Sequence, residues 1–67
     1  MKNKFSIGSL IKWHRGGERM TDFAIVLRYF ITNEIPSIEI LILGDETCPQ
    51  RKFEHCSSWV FTHFDKV

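Results

Sequence analysis

Ten residues, Asp22 to Ile31, constrain this chain more than any other segment. On an extended backbone, Phe23, Ile25, Leu27, Tyr29 and Ile31 share one side, and Ala24, Val26, Arg28 and Phe30 share the other. The run is built from β-branched and aromatic types, which favours a strand over an amphipathic helix. Both of its faces are apolar at the centre. A strand buried on both sides must serve two layers, so the run calls for a long, bent strand in a curled sheet.

The rest of the chain repeats the theme in shorter form: apolar runs broken by turn residues, the pattern of an all-β domain. The first strand covers about Leu10 to Trp13, with Phe5 to Ile7 as a lead-in. Phe5, Ile7, Ile11 and Trp13 have the same parity, and Lys12 points away from them. His14 to Thr21 is polar, contains Gly16-Gly17, and reads as a loop of about eight residues that should be mobile. Thr32 to Ser37 reads as a turn, with Asn33 suited to it and Pro36 biasing Ile35 toward extended backbone. A third strand follows at Ile38 to Leu43 with Ile38, Ile40 and Ile42 inward. Pro49 ends the next connection, because proline cannot pair in a central strand. A fourth strand spans Gln50 to His55 with Phe53 inward. Cys56-Ser57-Ser58 fits one tight 3₁₀ turn, and Trp59 to Phe64 is the last strand. Five strands of this kind make a small barrel, and closure hides their edges.

The 67 residues suffice for a single domain over 1–67. A domain this small buries only about 60% of its unfolded surface, so a dense core is required, and 43% apolar residues with six Phe, two Trp and one Tyr supply it. No run approaches the roughly 18 to 20 apolar residues of a membrane span, and the longest, Phe23 to Leu27 and Ile40 to Leu43, fall far short. The start of the chain lacks the apolar segment and cleavage site of a signal peptide, so the expected compartment is a cytoplasm. The net charge of +1 gives no global pull on nucleic acid.

The order of motifs resembles that of small SH3-like barrels, many of them encoded by bacteriophages. Gly8-Ser9-Leu10-Ile11-Lys12-Trp13 looks like the family's opening G-D-L-V-x-W. Ala24-Ile25-Val26-Leu27 stands where the family has G-I-V-L, and Leu43-Gly44-Asp45 where a strand usually ends in D-G. Ser57-Ser58-Trp59-Val60 matches the short turn before the last strand. Ser9 replaces the usual acidic residue and Ala24 the usual glycine. The resemblance implies a five-stranded barrel that binds rather than catalyses, often an extended peptide across an aromatic groove between loops. For a phage protein it implies an accessory or virion-associated partner-binding role.

The residues point the same way. Nine aromatics exceed the needs of one small core. Trp13, Tyr29, Phe30, Trp59 and Phe61, with Arg15 and Arg19 from the long loop, are the candidates for a protein-binding surface or a homodimer seam. The alternative partner is nucleic acid. Residues 1–19 carry a balance of +4, and Lys2, Lys4, Lys12, Arg15, Arg19, Arg51 and Lys52 would then form the basic face, with Trp13 or Tyr29 for stacking. Cys48, Cys56, His14, His55 and His63 lack the paired spacing of zinc ligands, and no phosphate loop or dinucleotide fingerprint occurs. Neither a cofactor nor a metal is expected. Cys48 should be an exposed thiol and Cys56 a small buried one.

Overall fold

The computed structural model describes residues 3–67. β1 (Leu10–Trp13), β2 (Phe23–Thr32), β3 (Ile35–Ile42), β4 (Arg51–Cys56) and β5 (Phe64–Lys66) form one antiparallel sheet in the order β4-β3-β2-β1-β5. A 3₁₀ turn, Met20–Asp22, leads into β2, and a helix, α1 (Ser57–His63), joins β4 to β5. None of the described helices is long and apolar enough to cross a membrane.

The long strand is present and bends, and its inward face changes parity along its length. Ala24 and Val26 are buried and Ile25 is only half-buried. The cause is a β-bulge. Val26 lies opposite Ile40 and Arg28 opposite Glu39, so Leu27 is an extra residue. The bulge resets the alternation. Arg28 and Phe30 go to the outer face, and Tyr29 turns toward the core beside Ile38. Without that insertion, the parity that buries Val26 would also bury Arg28.

The hairpin between β2 and β3 is tighter than the six-residue turn expected. Its turn is Asn33-Glu34, both in the left-handed region (φ 49° and 65°), the geometry that matches the twist of a two-residue hairpin. Ile35 and Pro36 therefore belong to β3. Even-numbered residues of β3 face β4, and β4 ends opposite Ser37. The missing N–H of Pro36 thus points beyond the end of β4, where no ladder bond is lost. Ile38, Ile40 and Ile42 are buried, as the sequence predicts, and Ile7 and Ile31 are exposed.

The main correction lies at the C-terminus. The segment expected as a 3₁₀ turn and a strand from Trp59 is a two-turn α-helix, and the last strand is only Phe64–Lys66. Ser57 and Val60, a helical turn apart, are buried, and Trp59 and His63 stack four residues apart. Thr62 Oγ1 donates to the Ser58 carbonyl at 2.9 Å, and His63 Nδ1 lies 2.8 Å from the Trp59 carbonyl, which fixes it as the donor. A helix this short does not stand alone; it is held by packing against β3, β4 and β5.

Among the described residues, strand pairing does not close the sheet into the barrel expected. β4 and β5 are its two edges, and α1 crosses the opening between them. The seam is filled by rings. Trp59 meets Trp13 of β1 edge-on at 5.9 Å, and on its other side it meets Phe53 at 5.9 Å and His55 at 4.4 Å, both from β4. The core beneath contains Phe5, Ile11, Ala24, Val26, Ile38, Ile40, Ile42, Val60 and Phe64.

Candidate binding surface

Trp13 is the last residue of β1, at the end of the sheet where the β1–β2 loop, the β3–β4 loop and the C-terminal turn of α1 meet. Its ring stacks on Phe64 at 4.4 Å and takes Trp59 against it edge-on, so the indole is held by two rings and is half-buried. A cleft of about 400 Å³ opens beside it, lined by Trp13, His14, Arg15, Gly16, Asp22, Thr62 and His63. A second, of about 270 Å³, lies across Trp13 and Asp22 and takes in Ile42, Leu43, Pro49 and Arg51.

Asp22 organises this end of the molecule. Its Oδ2 accepts the backbone N–H groups of Gly17, Glu18 and Arg19 at 3.0, 3.2 and 3.2 Å. The loop expected to be mobile is thus tied to the start of β2 by one carboxylate. Gly16 is required by the closeness of the approach, since a Cβ there would stand 2.8 Å from Asp22 Cγ and 3.0 Å from Trp13 Cβ. The N–H bonds, led by that of Gly17, hold the Asp22 carboxyl below its ordinary value. A depressed carboxylate ties the loop above the ordinary range and releases it as pH falls through the lowered value. The amide resonances of Gly17, Glu18 and Arg19 should therefore titrate together, with a midpoint below 3.8. Independent midpoints, or a shared one at or above that value, would contradict the tie. Asp45 is held low in the same way by the N–H of Cys48 and the hydroxyl of Thr47.

The expected binding residues divide among three places. Trp13, Arg15 and Trp59 meet at the end just described. Arg19 is exposed on the same loop, and its charge helps lower both Asp22 and Asp45. Tyr29 and Phe61 lie on the far side and serve the core. Phe61 meets Phe5 edge-on at 5.4 Å, and Tyr29 Oη donates to the Phe5 carbonyl at 2.6 Å while accepting the Phe5 N–H at 3.3 Å. Burial pushes the Tyr29 phenol above its ordinary value. Phe30 is on the outer face of the sheet, half-buried under the Arg28 guanidinium at 4.4 Å.

The basic set is similarly dispersed. Lys4 donates to the Phe61 carbonyl at 2.7 Å and Lys12 to that of Gly16 at 3.2 Å. Lys52 is exposed on β4, and Lys2 lies outside the described residues. Of the described members of the set, Arg15 and Arg51 line the clefts beside Trp13.

The histidines hold positions that strand logic did not indicate. His55 and His63 sandwich the Trp59 indole at 4.4 and 4.3 Å. His55 Nδ1 accepts the Cys56 backbone N–H at 2.9 Å, so its neutral form carries the proton on Nε2. His14 faces Asp65 at 2.8 Å with both side chains well exposed, a contact of small energetic weight. Cys48 is exposed and Cys56 half-buried, both as free thiols. Among the described residues, no three of His, Cys, Asp and Glu gather as a metal site would require. Comparison with protein-family models, with curated proteins and with solved structures gave no match for this chain.

Proposed function

We propose that this chain is a small non-enzymatic binding module, an SH3-like barrel that receives a segment of a partner protein in the clefts beside Trp13. The observation that carries the reading is Trp13 itself: a half-buried indole held by Phe64 and Trp59 that lines two open clefts. A rigid aromatic anchor inside a polar rim is how a small surface binds an extended peptide. Arg15 lines one cleft, Arg51 the other, and Asp22 borders both, so the rim suits a segment with an apolar residue flanked by charges. The strand order, the long β1–β2 loop and the helical turn before β5 favour the SH3-like assignment. A phage accessory or virion-associated role is the form that the sequence resemblance lends to this reading.

The test compares the tagged protein with its R15E/R51E variant in capture from bacterial lysate with and without nuclease treatment, quantified by mass spectrometry. Both arginines are exposed, so the variant should fold. A protein retained by the wild type and reduced at least about fivefold in the variant is expected, since each rim charge adds a modest share. A retained set indifferent to both reversals would sink the reading. Recovery that vanishes with nuclease would replace it with nucleic-acid binding through the basic residues.

A further inference from the structure

β4 is an edge strand whose outer side has no strand partner among the described residues. Backbone polarity across the sheet identifies the residues that face outward. Val26 exchanges bonds with the β1 side (Gly8 N–H to Val26 O at 2.8 Å, Val26 N–H to Ser9 O at 3.0 Å), and Leu43 N–H donates to Phe23 O at 2.9 Å. Odd residues of β3 therefore face β2 and even ones face β4. Through the register Ile40↔Phe53, Phe53 and His55 face β3, while Lys52, Glu54 and Cys56 turn their N–H and C=O groups outward. The Cys56 N–H fits this alternation, because it is taken by the His55 ring rather than by β3. Lys52 and Glu54 remain, both exposed.

We propose that this edge pairs with the same edge of a second copy, antiparallel, about a two-fold axis through Phe53. Only registers that place outward residues opposite one another form ladder bonds. Centring the axis on Lys52 or Glu54 would set like charges face to face. Centring it on Phe53 sets Lys52 opposite Glu54 of the second copy, and Glu54 opposite its Lys52. Each of these pairs exchanges two N–H···O bonds and carries opposite charges on the outer face, where Glu54 already lies near Arg28. Phe53, half-buried in one copy, meets its counterpart on the axis. Edge lysines usually block such pairing; here Glu54, two residues on, makes the edge self-complementary. The contact is small and the dimer accordingly weak. It uses a surface other than the Trp13 clefts and does not depend on the proposed peptide binding.

Sedimentation velocity from about 10 µM to 1 mM tests the proposal with three proteins: wild type, K52E and E54K, each first checked for native circular dichroism. The wild type should dimerise within this range. Each single variant, which faces itself with like charges, should need at least about tenfold higher concentration. An equimolar mixture of K52E and E54K restores opposite charges at both pairs and should recover association at the wild-type level. A wild type that stays monomeric throughout, variants that associate as well as it does, or a mixture no better than its components would each overturn the proposal.

Discussion

Replacing Trp59 with alanine should lower the stability by about 3 kcal/mol, at the lower end of the cost of removing an aromatic ring from a packed site. A 67-residue domain holds only about 3 to 10 kcal/mol in total, so the loss is large. The melting temperature should fall by roughly 12 to 24 °C. The size of the effect comes from where the ring stands. β4 and β5 do not pair, and Trp59 bridges the opening by touching Trp13 on β1 and Phe53 and His55 on β4. Its removal takes the common neighbour from every ring in the seam. Trp59→Phe keeps a ring in place and should cost about 1 kcal/mol. Urea denaturation followed by circular dichroism measures both. A loss below about 1 kcal/mol for the alanine variant would mean that the seam is held by the helix backbone alone.

The same residue shows where sequence reasoning stopped. Around Trp59 the apolar positions fit two periods. Read with period two, Val60, Thr62 and Phe64 form an inward face; read with the helical period, Ser57, Val60 and Phe64 do. The helical solution is the one adopted, and the i to i+4 partner of Trp59, His63, was available as a signal. Propensity could not decide, because Trp, Val, Phe and Thr all favour strands. What favours the helix is tertiary: a short helix can span from β4 to β5 and bury Val60, while a strand there would leave the opening unfilled.

The bulge at Leu27 is illegible for a different reason. Parity divides β2 into an odd and an even face, both apolar at the centre, and a regular strand would keep one of them inward throughout. One inserted residue reverses the assignment halfway along the strand, and local sequence holds no mark of it. By contrast, the alternation in β3 is legible because Glu39 marks the outer face and no bulge intervenes. Of the candidate binding surface, Trp13 and Arg15 were legible as an aromatic and a charge at a loop entrance. Asp22 was not. It reads as a solvated acid at a strand end, and its role depends on three backbone N–H groups that converge only after the loop has folded.

Phe5→Ala should cost about 3 to 5 kcal/mol, although Phe5 belongs to no strand. Its side chain is only 1% exposed, lies edge-on to Phe61, and joins the same core as Ile11 and Val60. The lead-in segment is therefore a structural part of the domain. Its backbone is fastened separately: both polar groups of Phe5 bond to the Tyr29 hydroxyl. Tyr29→Phe should thus cost about 1 to 2 kcal/mol by leaving those groups without a partner. The two effects should not add. If loss of the Phe5 ring releases the lead-in, its N–H and C=O return to water, and removing the Tyr29 hydroxyl then has little left to break. In the Phe5→Ala background the Tyr29→Phe cost should fall below about 0.5 kcal/mol, a coupling of roughly 1 kcal/mol in a double-mutant cycle. Phe5→Leu serves as the graded variant if the alanine protein fails to fold, and it should keep the Tyr29 term because it keeps the segment docked. Strict additivity in the alanine background would show that the hydroxyl holds the backbone by itself, with the ring contributing only its buried area.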